Sequence, residues 1–340
     1  MRRNLILVSA VLCALQACSE GDDAQTTASP LLSAAPTVLV DLDPDSVGTT
    51  YTVENLTANE DGELFFSDRE SGNVLTLDPG SPQATIVGRL ADRTDAAGAA
   101  VKANGAGLVF TDRGDLLIAS GAFGEVLRLA ESDLGNNPPV VAETFITGVA
   151  GANALLLDGS TLFVSGGNTG NVYMAPVGGG AAEVWATIDA STRTVAPNDF
   201  MQSVVSNGMA LDADGALLVA DTARGAIWRI PRAADGSAEA PEMMVQDALL
   251  EGIDGITFDS EGRLWAAVNE RNALVVIVDG RPVDAYKNDN AGPLEFPAAL
   301  VFVGGVGYVA NFDRPRADNL AADGTTSTAG VGSSIVRFSL

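Results

Sequence analysis

Residues 206–221 read SNGMALDADGALLVAD, and residues 253–268, IDGITFDSEGRLWAAV, repeat the same pattern. In each, a short apolar segment (GMALDA at 208–213, GITFDS at 255–260) runs into a Gly-containing turn and then into a second apolar segment. Turns of this kind tolerate positive φ and close antiparallel hairpins. The core of the second segment recurs along the chain at Leu64-Phe65-Phe66, Leu116-Leu117-Ile118, Leu162-Phe163-Val164, Leu217-Leu218-Val219, Leu264-Trp265-Ala266 and, more weakly, Gly307-Tyr308-Val309. Successive cores lie 43 to 55 residues apart. Ten residues beyond the start of the first five sits another strand core, at Val74, Val126, Val172, Ile227 and Leu274, and a fourth strand trails it, as AEVWATI does at 182–188.

Four short strands per unit, with no long run of 3.6-residue periodicity, match propeller blades rather than helical solenoids. Six units predict an all-β, six-bladed β-propeller over residues 37–340. The sixth unit is irregular, because FDRPRADNLAADGTTSTAGVG (312–332) delays its next strand to Ile335 and reads as a loop over one face. The chain then ends on SSIVRFSL, a third strand with no fourth after it, while TVLVDLDP at 37–44 has no partner in its own unit. Pairing the two satisfies both edges and predicts that the N-terminal strand completes the C-terminal blade.

Ahead of the propeller, Arg2 and Arg3 precede an apolar run from Leu5 to Leu15 and the small Ala17. That is the pattern of a signal peptide over residues 1–17, too short to span a membrane. Leu15-Gln16-Ala17-Cys18 resembles a bacterial lipobox, so Cys18 is the expected lipidation site. Residues 18–36, small, polar and Pro-punctuated, read as a flexible tether behind it. The expected location is the bacterial cell envelope, exported and lipid-anchored, with the bilayer touched only through Cys18. Cys13 leaves with the signal.

The chain carries 19 basic against 44 acidic residues, a formal charge of −25, which argues against nucleic acid as a partner. It contains no histidine. That absence removes Ser-His-Asp and Cys-His catalysis, His-ligated zinc and His general bases together. A mature domain without cysteine also lacks disulfides and soft-metal ligands.

In a propeller the innermost strand of each blade starts near one mouth of the central channel, so repeat-equivalent positions converge on the axis. Ten residues before each core stand Glu54, Ala106, Ala152 with Asn153 beside it, Asn207, Asp254 and Pro297. Taken singly, Asn207-Gly208 and Asp254-Gly255 are ordinary turn dipeptides and Glu54 is a surface acid. Their shared offset points instead to hard oxygen donors gathered from several blades, which suit a divalent cation and, at a roomy channel mouth, Ca²⁺.

With these residues and the two quoted segments, the chain resembles the gluconolactonase, regucalcin (senescence marker protein) and luciferin-regenerating-enzyme family of six-bladed propellers. The resemblance implies that Glu54, Asn207 and Asp254 ligate a divalent metal and that Asn153 lies by metal and substrate. The Arg often found two residues before that Asn is Gly151 here. The expected activity is hydrolysis of a small lactone or ester at the channel mouth, dependent on Ca²⁺, with Asp254 accepting the proton of the attacking water. The alternative is a non-catalytic, envelope-tethered propeller that binds a ligand or protein partner and keeps a structural metal.

Overall fold

The second segment of each repeat is apolar at consecutive positions, not alternate ones, which is the mark of a strand covered on both faces. A computed structural model, describing residues 31–42, 52–192, 203–289, 291–313 and 330–340, shows why. Each such strand is the second of a four-stranded antiparallel blade, wedged between neighbouring blades. Leu64–Asp68, Leu116–Ser120, Leu217–Asp221 and Leu264–Val268 are buried along their whole length. The signal peptide, Cys18 and the tether up to residue 30 lie outside the described residues, as does most of the 312–332 insertion.

Residues Leu32–Leu340 form one compact unit, a six-bladed β-propeller. The blades start on the inner strands Val53–Ala58, Gly105–Phe110, Leu155–Asp158, Met209–Leu211, Ile253–Phe258 and Pro297–Val303. Blade 1 ends on Ser81–Arg89, blade 4 on Glu242–Gln246 and blade 5 on Arg281–Lys287. Apolar clusters fill the wedges between blades. Leu218 and Ile227 of blade 4, for example, pack against Ile256 and Val275 of blade 5. Between blades 5 and 6 the filling is aromatic, with Trp265 at 5.3 Å from Phe338 and 5.7 Å from Phe302. Gly307 makes room for it, since a Cβ there would meet the Phe338 ring at 2.1 Å. This is why the sixth core is the weakest of the series in sequence.

Ring closure follows the expected route. Thr37–Asp41 pairs antiparallel with Ser334–Ser339, in the register Thr37 opposite Arg337 and Val40 opposite Ile335, and becomes the outer strand of blade 6. Two small additions were not legible in the repeat. A two-residue hairpin, Arg93–Thr94 with Ala100–Val101, links blades 1 and 2, and Gly180–Ala181 adds a parallel fifth strand to blade 2.

Candidate functional site

In blades 1, 2 and 5 the residue ten positions ahead of the core sits where the inner strand slips register. In blade 1, Val53 pairs with Asp68 and Leu56 with Phe66, so Glu54 and Asn55 together oppose one residue. In blade 5, Ile253 pairs with Val268 and Ile256 with Ala266, which bulges Asp254 and Gly255 in the same way. Blade 2 repeats the slip between Gly105 and Leu108. Such bulges bend a strand and re-aim its side chains. Here they make the recurring offset a recurring direction.

None of the three acid or amide candidates is a surface residue. Glu54 is 5 % exposed, Asn207 2 % and Asp254 4 %. The glycines after Asn207 and Asp254 are not turn formers either, since they allow blades to touch. The Gly208 N–H donates to the Asp254 carbonyl oxygen at 3.2 Å, and a Cβ on Gly208 would come within 2.4 Å of that oxygen. This close approach brings Asn207 and Asp254 side by side.

Each candidate is gripped by the residue fifteen positions later, just past the second strand of its own blade. The Thr222 hydroxyl spends its proton on the Ile253 carbonyl oxygen at 2.6 Å, so toward Asn207 it only accepts. Asn207 Nδ2 donates to it at 3.0 Å, which turns Asn207 Oδ1 away from Thr222. In blade 5, Asn269 Nδ2 donates to Asp254 Oδ2 at 3.2 Å. In blade 1, the Arg69 guanidinium forms an ion pair with Glu54 Oε2. Sequence reasoning missed Thr222, Asn269 and Arg69, although all three lie five residues beyond the first position of their core.

Burial dominates the electrostatics of Asp254 and pushes its carboxyl from the ordinary 3.8 up to about 7. Hydrogen bonds from Asn269 and Asn207, and the charge of Arg69, offset only part of that rise. Arg69 therefore links the two acids, in contact with Glu54 and within the field felt by Asp254.

Beside this cluster lies a cavity of about 350 Å³, lined by Glu54, Arg69, Asn104, Asn153, Asn168 and Thr169, with small residues such as Ala106 and Gly167 completing the wall. Asn207 and Asp254 do not line it. Ala152, at the common offset, packs in the core between blades 2 and 3 and, like Asn153 beside it, lines the cavity, where of the two only Asn153 brings a polar side chain. Its backbone is fixed by the Gly107 N–H, which donates to the Asn153 carbonyl oxygen at 2.7 Å.

The donor set fits a hard divalent ion. Two buried carboxylates and an amide oxygen held clear of its neighbour supply only oxygen, and Asp254 is a buried acid whose direct partners are neutral amides. No group of three or more His, Cys, Asp or Glu placed to hold a metal ion occurs among the described residues, so an ion here would depend on Asn207 and on water to complete its shell.

A family model described as the SMP-30/gluconolactonase/LRE-like region matches residues 54–308, beginning on Glu54 itself. The chain belongs to that family. Its propeller is similar to that of a gluconolactonase from Xanthomonas campestris, 16 % identical over 91 % of this chain and 90 % of that one, with a TM-score of 0.61. A calcium-binding regucalcin from Agrobacterium tumefaciens is 16 % identical over 88 % and 95 % of the two chains, with a TM-score of 0.59. A luciferin-regenerating enzyme is 15 % identical over 90 % and 96 %, with a TM-score of 0.58. At such identities these structures share the fold. No curated protein matches the chain at a significant level.

Proposed function

We propose that this family member is a Ca²⁺-dependent, lactonase-type hydrolase that takes a small lactone or ester into the cavity beside Glu54 and Asn153. The observation that carries the reading is the setting of Asp254: a buried carboxylate, held through one oxygen by Asn269, next to the oriented amide of Asn207 and within the field of Arg69 on the cavity wall. Glu54, Asn207 and Asp254 would hold the divalent ion. Bound there, the ion would polarise the substrate carbonyl and stabilise the charge that develops on its oxygen.

The chain's own residues supply the rest. Asn153, fixed by its backbone bonds, offers an amide to orient the substrate in the cavity. Asp254, which does not itself line the cavity, takes a proton from the attacking water by way of an intervening water, through the carboxylate oxygen that Asn269 does not hold. The water oxygen adds to the carbonyl carbon, the ring C–O bond breaks, and the departing oxygen receives the proton that Asp254 holds. Asn269 keeps the carboxylate in one orientation throughout.

A panel of sugar, aryl and acyl-homoserine lactones, assayed with and without Ca²⁺, tests this directly. The wild type should hydrolyse at least one class only with the ion, and Asp254→Asn should lose about a hundredfold or more of that rate while melting close to the wild type. A wild type that binds Ca²⁺ and hydrolyses none of the panel would instead mark a ligand-binding propeller with a structural ion.

A further inference from the structure

Arg69 breaks the pattern set by blades 4 and 5. At the position fifteen residues after the candidate ligand, those blades carry Thr222 and Asn269, neutral groups that orient an oxygen and leave the cluster's charge unchanged. Blade 1 places a permanent cation there, paired with Glu54. Glu54 Oε2, the oxygen that takes part in this ion pair, is buried.

The guanidinium also has somewhere to go. The Arg69 side chain is 24 % exposed and lines the cavity with Asn104, Asn153 and Asn168, and its head lies 5.5 Å from the ring of Phe312, the blade 6 residue at the same repeat offset. Two carboxylates balance one divalent ion. With Arg69 still on Glu54, ion binding would leave an excess positive charge in a partly desolvated site, where like charges repel far more strongly than in water.

We infer that Arg69 is an internal cation that competes with the divalent ion for Glu54: it neutralises that carboxylate in the ion-free protein, and it must give up the contact, turning into the cavity, for the ion to bind. The inference rests on the reading of Glu54, Asn207 and Asp254 as the ion site. It makes the ion affinity of this chain weaker than its donor set alone would give.

Calorimetric titration of CaCl₂ into the wild type, Arg69→Gln, Arg69→Lys, Glu54→Gln and the Glu54→Gln/Arg69→Gln pair tests it without any assay of activity. Arg69→Gln should bind Ca²⁺ about tenfold more tightly or better, since a competing charge is removed. Arg69→Lys should fall between the two, because the compact ammonium lacks the planar guanidinium that suits a carboxylate. Most of the Arg69→Gln gain should vanish in the Glu54→Gln background. A gain that persists there in full overturns competition for Glu54. Arg69→Gln binding with wild-type affinity or more weakly overturns the inference and leaves the ion site standing. Absence of Ca²⁺ binding in both wild type and Arg69→Gln overturns the ion site together with it. Should Arg69→Gln melt far below the wild type, Arg69→Lys decides, with binding no tighter than wild type counting against the inference.

Discussion

Blades 4 and 5 and blades 2 and 3 present the same two backbone positions to the channel and use them in opposite ways. In blades 4 and 5 the positions carry Asn207 with Thr222 and Asp254 with Asn269, paired by hydrogen bonds of 3.0 and 3.2 Å. In blades 2 and 3 they carry Ala106 with Gly121 and Ala152 with Gly167, side chains too small to reach the axis, and all four line the cavity. One side of the channel holds chemistry and the other makes room. A sixfold scaffold becomes a one-sided site through the side chains that its blades present at these positions.

Enlarging a group on the roomy side should therefore disturb substrate and spare the ion. Asn153→Leu removes the amide that faces the cavity and fills part of the space. Loss of one oriented hydrogen bond in such a site costs about 1–3 kcal/mol, so KM for a hydrolysed lactone should rise roughly ten- to a hundredfold, with Ca²⁺ affinity near that of the wild type. An equal fall in Ca²⁺ affinity, read by calorimetry, would show that the two sides are not separable.

A smaller effect is expected on the chemical side, at a residue that touches neither cavity nor proposed substrate. Thr222→Val keeps the shape, removes the acceptor of Asn207 Nδ2 and frees the amide to rotate. Ca²⁺ affinity should drop about three- to tenfold and stability by about 1–3 kcal/mol, because the hydroxyl's buried bond to the Ile253 carbonyl oxygen is lost along with the one from Asn207. Thr222→Ser, which retains the hydroxyl, should restore most of the affinity. If Val and Ser behave alike, the hydroxyl does not orient Asn207.

Most of the fold was legible before any coordinate. The doubly covered second strands declare themselves as apolar runs, and the unpartnered strands at both ends of the domain predict their own pairing. The ring positions Glu54, Asn207 and Asp254 were legible because the repeat supplies an internal ruler. Two things were not. The bulges that aim Glu54 and Asp254 come from register slips between paired strands, which sequence spacing does not mark. Arg69 and Asn269 carry no mark of their role, since nothing in the local sequence distinguishes a residue gripping a buried carboxylate from one facing water. The glycines at 208 and 255 read as turn formers because the pressure that selects them comes from the neighbouring blade.

If Glu54, Asn207 and Asp254 form one cation site, that site has a pH signature carried by Asp254. In the ion-free fold this carboxyl keeps its proton up to about pH 7, whereas an ordinary aspartate releases it near 3.8. Its raised value favours the folded state fully below pH 4, and that contribution is lost as the pH rises through 7. A divalent ion binds the ionised form and must displace a proton at low pH. Thermal unfolding at pH 5 and pH 8, with and without Ca²⁺, measures this directly, because an ion bound only to the folded state adds about 2.7 kcal/mol at a hundredfold excess over Kd. The rise in melting temperature on adding Ca²⁺ should be clearly larger at pH 8 than at pH 5, and this pH dependence should disappear in Asp254→Asn. An equal rise at both pH values, or none at either, would contradict a shared cation site.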